Sequence, residues 1–235
     1  MTVSMVGFDA DDTLWHSETH FALTEERFRA LVSPWSDLES TSGRLLDRER
    51  ANLELFGYGV KGFILSMIET AIEVSDGAIP ADAINQIVGW GKEMMAHPVE
   101  LIDGVTDVLD AIGRSHRMVL ITKGDLFHQE SKIAESGLAD RFERVEILSE
   151  KSPHHYAGVL ERCQVPAAEF AMVGNSLRSD VAPVVEIGAV GVHVPYAITW
   201  EHEQVTEGSP DDASNARIHR LATIRDLPGL LAKLG

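Results

Sequence analysis

The chain opens on a short apolar run, Val3-Ser4-Met5-Val6-Gly7-Phe8, which breaks off at an acidic turn beginning with Asp9. A short apolar run bounded by turn residues predicts a buried strand. From Ser17 to His97 the pattern changes. Apolar residues recur at helical spacing in Glu18–Leu31, Arg44–Phe56, Val60–Ile72 and Ala81–Met95. Pro34, Gly57, Gly59, Gly77 and Pro80 punctuate these segments, as residues that stop helices do. The block is expected to be all-helical.

Beyond Pro98 the pattern alternates. Helical spacing over Val105–Ile112, Leu126–Glu135, His155–Cys163 and Val181–Ile187 is interleaved with strand-like runs at Met118–Ile121, Arg144–Leu148, Phe170–Val173 and Ala189–Val194. Ile224–Leu234 predicts a last helix, and Glu207–Asn215 reads as a polar loop. Strands alternating with helices predict an α/β fold, a doubly wound parallel sheet with helices on both faces. The helical block interrupts it after the first strand. The expected division is a core of residues 1–15 and 98–235 and an inserted all-helical cap of residues 16–97. Open α/β sheets bind ligands at the carboxyl ends of their strands, where such an insert is expected to sit.

Composition narrows the setting. With 235 residues, 44% apolar and 24% charged, the chain is long enough to bury a proper core. A formal net charge of −17 argues against nucleic acid and anionic membrane surfaces as partners. It also means that an anionic substrate needs local cations to reverse the field. The lone cysteine, Cys163, admits no intrachain disulfide and reads as a small core residue beside Val159, Leu160 and Val165. No signal-peptide pattern opens the chain, and no apolar run is long enough to cross a membrane. A soluble, cytoplasmic protein is expected.

Chemistry-bearing residues fall just after four of the predicted strands. Asp9-Ala10-Asp11-Asp12-Thr13 places two carboxylates two residues apart in a turn. One can attack an electrophile while the other serves as acid and base; the plain alternative is an Asp-rich turn capping a helix. An EF-hand loop is excluded, because Leu14 and His20 stand where Gly and Glu are needed. Ile121-Thr122-Lys123-Gly124-Asp125 offers a hydroxyl and main-chain N–H groups to a phosphoryl oxygen, or is an ordinary hydroxyl-capped turn. Ser149-Glu150-Lys151-Ser152-Pro153 offers a point charge before a helix, or a surface lysine. Val173-Gly174-Asn175-Ser176-Leu177-Arg178-Ser179-Asp180 offers oxygen ligands to a hard cation such as Mg²⁺, or an Asp helix cap.

The ordered set resembles the haloacid dehalogenase-like (HAD) superfamily of aspartate-nucleophile phosphatases, over residues 3 to about 195, with the cap placed as in subclass I. The resemblance implies a Rossmannoid core and hydrolysis of a small phosphomonoester. It implies that Asp9 attacks phosphorus to give an aspartyl-phosphate and that Asp11 protonates the leaving oxygen and then deprotonates water. Thr122, Lys123 and Lys151 are implied to hold the phosphoryl group, Lys151 also neutralising charge on Asp9. Mg²⁺ is implied at Asp9, the Asp11 carbonyl, Asn175 and Asp180. Many relatives carry Asp at the position of Asn175; Asn keeps a ligating oxygen and loses the charge, which leaves open whether Asn175 or Asp180 touches the metal. Coulomb's law gives the acidic cleft a reason for its cations: about 4 kcal/mol of repulsion per charge pair at 4 Å in an effective dielectric near 20.

Two other readings stand beside hydrolysis: a phosphomutase on the same fold, and a non-catalytic protein that binds a phosphorylated metabolite. A dehalogenase has no need of an acid/base at Asp11. His16 and His20, four residues apart, are not expected to form a metal pair, and His154 and His155 are expected to start a surface helix. Trp15, His16, Tyr196, Trp200 and His202 are candidates for the pocket rim, and Phe56, Tyr58, Phe63 and Trp90 for the helical core.

Overall fold

The computed structural model describes residues 2–198 and 216–235. Six strands form one sheet: β1 (Met5–Phe8), β2 (Arg117–Lys123), β3 (Arg144–Leu148), β4 (Phe170–Gly174), β5 (Val190–His193) and β6 (Ile218–Arg220). Their order is β3-β2-β1-β4-β5-β6, and every pairing is parallel. Phe8 lies opposite Leu120 on one side and Val173 on the other. The strands after β1 build outward first on one side and then on the other. The reversal at β1 opens a crevice at its carboxyl end.

Both faces of the sheet are buried at its central strands, which explains why β1, β2, β4 and β5 are rich in apolar residues rather than alternating. Val6, Phe8, Leu120, Ala171 and Val173 face one core, shared with α5 (Val105–Ile112), α6 (Leu126–Ser136) and α9 (Leu227–Leu234). Met5, Val119, Ile121, Phe170 and Met172 face the other, shared with α7 (Pro153–Cys163) and α8 (Ala182–Glu186). Gly7 has a packing reason: a Cβ there would stand 2.4 Å from the Phe170 ring. Cys163 is buried in the second core, and burial raises its thiol pKa, as the reading of a small apolar residue requires.

The chain divides into two compact units, residues 1–18, 99–123 and 129–235 in one and 19–98 with 124–128 in the other. The second is built on α1 (Glu18–Val32), α2 (Leu38–Phe56), α3 (Val60–Val74) and α4 (Ala81–Met95). Phe28, Leu45, Ile64, Met67 and Ile87 form its core. Asn52 Nδ2 donates to Ser66 Oγ at 3.0 Å and to Glu69 Oε2 at 2.9 Å, tying α2 to α3. Among the described residues no helix is long and apolar enough to cross a membrane.

Several expectations need correction. Helix α2 begins at Leu38 rather than Arg44, because Asp37 caps it by accepting from Ser40 N at 2.9 Å. The helix expected over 181–187 is a π-helical turn, Leu177–Val181, followed by α8. The last helix starts at Leu227, after a single 3₁₀ turn. Strand β6 was not expected: it is three residues long and carries His219 and Arg220. Phe56 is exposed at 48% rather than core, whereas Phe63 and Trp90 pack against the helical core. Trp200, His202 and the loop 207–215 lie outside the described residues.

Candidate active site

The crevice is floored by the turn after β1. Asp9 N–H donates to Val173 O at 2.8 Å, continuing the ladder for one residue. The chain then folds back, with Leu14 N–H on Ala10 O at 2.8 Å and Asp12 N–H on Trp15 O at 2.7 Å. Asp12 takes a left-handed φ of 61°, which Asp tolerates better than most residues. Its carboxylate accepts from Ser17 N at 2.9 Å and Glu18 N at 3.0 Å. That fixes the exit of the turn and leaves Asp9 and Asp11 in different surroundings.

Asp9 is held from both sides. Thr13 Oγ1 donates to its Oδ2 at 3.0 Å, and Lys151 Nζ donates to its Oδ1. The same ammonium donates to Asp180 Oδ1 at 2.7 Å. All three charged side chains are buried, Lys151 with 2% of its side chain exposed. Asp180 Oδ2 accepts from Ser176 N at 3.0 Å. Gly174 makes this approach possible, since a Cβ there would lie 2.2 Å from the Asp180 carboxyl carbon. Ser176 caps the π-helical turn, its hydroxyl accepting from Ser179 N, and the turn sets Asp180 inward.

Asp11 is held by other donors. Lys132 Nζ donates to its Oδ1 at 2.5 Å, Trp15 Nε1 to the same oxygen at 2.7 Å, and Gln129 Nε2 to Oδ2 at 2.8 Å. Gln129 Nε2 also lies 3.0 Å from Thr122 Oγ1 and 2.7 Å from Lys123 O. Lys123 turns its ammonium to Ser179 Oγ at 2.9 Å and Glu150 at 3.7 Å.

The electrostatics separate the carboxylates. Burial raises Asp9 to about 7, against Lys151 and with help from the negative charges of Asp180 and Asp11. Burial also raises Asp12 to about 7, against the N–H groups of Ser17 and Glu18. For Asp11 burial acts in the same sense, but the charge of Lys132 and the bonds from Lys132, Gln129 and Trp15 outweigh it and hold the carboxyl below its usual value. Lys151 is pushed down by burial but held well above its usual value by Asp180 and Asp9.

The donors suit a hard cation. Thr13 Oγ1, bonded to Asp9 Oδ2, is also 3.5 Å from Asn175 Oδ1. Side-chain oxygens from the ends of β1 and β4 therefore converge on one point, and burial there raises the pKa of Asp9 despite Lys151, which a further cation would offset. Both Asp180 oxygens are already engaged, by Lys151 and Ser176. Among the described residues no group of three or more His, Cys, Asp or Glu side chains could hold a metal. A cation here would draw on amide and carbonyl oxygens and on water as well as carboxylate, which Mg²⁺ accepts.

The structure brings Asp9, Asp11, Thr122, Lys151, Asn175 and Asp180 to neighbouring strand ends. It also brings in two residues that the sequence reading passed over, Gln129 and Lys132, and gives Thr13 and Trp15 bonds to Asp9 and Asp11. Trp15 is no pocket wall: it is 1% exposed and supports Asp11. Gln129 and Lys132 are one turn apart on α6, a spacing that places them on one face. His16 Nδ1 is 2.6 Å from Tyr196 Oη, and the His20 ring meets His97 with centroids 3.9 Å apart.

These carboxylates and the buried lysine meet at the reversal of a parallel sheet, where open α/β folds hold their ligands. The chain belongs to the haloacid dehalogenase-like hydrolases, whose sequence profile matches residues 3–188. Among solved structures it is similar to a haloacid dehalogenase-like family hydrolase from Xanthomonas campestris, at 45% identity and a TM-score of 0.87, covering 99% of this chain and 92% of that one. Two more distant likenesses concern the fold alone. A HAD-hydrolase from Bacillus subtilis bound to magnesium has 14% identity, a TM-score of 0.68 and coverage of 99% and 100%. The L-2-haloacid dehalogenase of Xanthobacter autotrophicus has 16% identity, a TM-score of 0.64 and full coverage of both chains. No curated protein matches significantly.

Proposed function

We propose that the protein hydrolyses a small phosphomonoester through an aspartyl-phosphate on Asp9. The observation that carries this reading is the pairing of Asp9, bonded to the buried ammonium of Lys151, with a second carboxylate two residues on that has its own cation, Lys132. A displacement at phosphorus needs a nucleophile, positive charge around the phosphoryl oxygens and a separate group that handles a proton. Asp9, Lys151 with Thr122, and Asp11 supply these in turn.

In the first half-reaction an Asp9 oxygen bonds to phosphorus as the bond to the ester oxygen breaks, and that oxygen takes the proton of the Asp11 carboxyl. In the second, the Asp11 carboxylate takes a proton from water as the water oxygen bonds to phosphorus, releasing Asp9 and inorganic phosphate. Thr122 donates to a phosphoryl oxygen, and Lys151 holds Asp9 in place and offsets the charge gathering beside it. Asp9, the Asp11 carbonyl and Asn175 would hold magnesium, with Asp180 contributing charge, and the ion would supply further electrostatic stabilisation when bound. A B. subtilis HAD-hydrolase of the same fold is bound to magnesium, in keeping with a magnesium site here.

The dehalogenases among the structural likenesses define the competing chemistry. Phosphate release should therefore be measured across a panel of phosphomonoesters with magnesium and with chelator, beside halide release from 2-haloacids. Magnesium-dependent phosphate release without halide release is expected. Halide release alone, or phosphate release that survives thorough chelation, would contradict the reading. An isomeric phosphoester with no free phosphate would make the protein a mutase.

A further inference from the structure

One helix outside the four strand-end segments grips the second carboxylate. From α6, Lys132 Nζ holds Asp11 Oδ1 at 2.5 Å and Gln129 Nε2 holds Oδ2 at 2.8 Å, so both oxygens of one carboxylate are fixed by side chains a single turn apart. Trp15 Nε1 closes the third side at 2.7 Å. Gln129 is 3% exposed and does more than hold Asp11. Its amide nitrogen also reaches Thr122 Oγ1 and Lys123 O, so one side chain spans the proton-handling carboxylate and the hydroxyl of the second strand end. The amide has one tolerable orientation, because turning it over would set Oε1 against the Asp11 carboxylate and the Lys123 carbonyl. Ile133, beside Lys132, is anchored in the core, and α6 is thereby a rigid mount for the pair.

We infer that Gln129 and Lys132 are positioning residues that set the distance and angle between Asp11 and the phosphoryl group held at Thr122. The inference rests on the phosphatase reading. Neither residue reacts. Their contribution is to keep the Asp11 oxygen aimed at the ester oxygen of the substrate, and misplacement by about 1 Å can cost roughly 100-fold in rate. The effect must depend on the leaving group. An alkyl ester needs its oxygen protonated as it departs. A nitrophenyl ester needs little help, because nitrophenolate is already a stable anion.

The test compares wild type with Lys132→Met and, as an independent second variant, Gln129→Leu, each against an alkyl phosphate and nitrophenyl phosphate, with Lys132→Arg as the conservative control. Both apolar variants should lower kcat on the alkyl ester by about 100-fold and on the aryl ester by less than about 10-fold. KM should change little, and Lys132→Arg should recover part of the alkyl activity. An equal loss on both esters, or no loss, overturns the inference while phosphate release by wild type leaves the phosphatase reading standing. If wild type frees no phosphate from either ester, or Asp9→Asn does so at the wild-type rate, the phosphatase reading falls and this inference falls with it.

Discussion

Asp9 and Asp11 sit two residues apart on one turn, and their surroundings act on them in opposite senses. Asp9 is buried at the end of β1 beside a second carboxylate, Asp180, and shares one lysine with it. Asp11 is about a third exposed at its side chain, at 29%, and has Lys132, Trp15 and Gln129 to itself. The first is therefore raised to about 7, while the second is held below its usual value. Carboxylates whose environments separate their proton affinities can take separate tasks in one reaction. Here the site short of positive charge is the one where an anionic substrate and a divalent cation would meet. The resting Asp11 is a carboxylate, the form that takes a proton from water in the second half-reaction; to act as the acid in the first, it must gain a proton as the negative charge of the substrate comes beside it.

The largest test of this division is Asp9→Asn. It keeps shape and one hydrogen-bond acceptor but removes the attacking oxygen, and turnover should fall by at least about 10⁴-fold with the fold intact by circular dichroism. Lys151→Met comes next. It leaves Asp9 and Asp180 facing each other without a cation, and unfolding in urea at neutral pH should show a loss of roughly 3–5 kcal/mol. The loss should shrink toward pH 5, where Asp9 takes up a proton. Asp11→Asn should lower kcat by about 10²–10⁴-fold without the destabilisation, because Asp11 is not part of the buried trio.

The smallest effect concerns pH and stability without metal. Asp9 and Asp12 are raised from 3.8 to about 7, so the folded chain binds protons there that the unfolded chain has already released. Stability then falls as pH rises between those values, since the slope follows the protons bound by the unfolded state minus those bound by the folded one. Asp11 acts in the opposite sense, at pH below the ordinary carboxylate range. Melting temperatures followed from pH 4 to pH 8 should decline in metal-free wild type, and Asp12→Asn should make the decline shallower. A flat or rising profile would mean that Asp9 and Asp12 are not raised as described.

Three of the strand ends were legible because the chemistry-bearing residue follows an apolar run whose burial is plain from its composition. Val6 and Phe8 announce Asp9, Ile121 announces Thr122, and Val173 announces the loop carrying Asn175 and Asp180. Lys132 and Gln129 were not, because they lie inside an amphipathic helix, where a lysine and a glutamine ordinarily face water. Their one signal was the spacing of three on the side of α6 that also holds Ile133. Strand β6 escaped because three residues including His219 and Arg220 form no apolar run; its pairing with β5 defines it instead. Helix α2 was placed too late because Leu38 stands exposed at 65%, outside the apolar periodicity, while the signal that mattered was the Asp37 cap.

The central claim is that Asp9 and not Asp11 forms a covalent bond to phosphorus. It is tested most directly by acid-quenching the enzyme during turnover of a phosphomonoester and locating the phosphoryl group by peptide mass spectrometry. A phosphoryl group on the Asp9 carboxylate is expected, appearing within the first turnover, decaying as substrate is exhausted and absent from Asp9→Asn. Phosphate production with no phosphorylated Asp9 at any quench time, or with the phosphoryl group on another residue, would contradict the account.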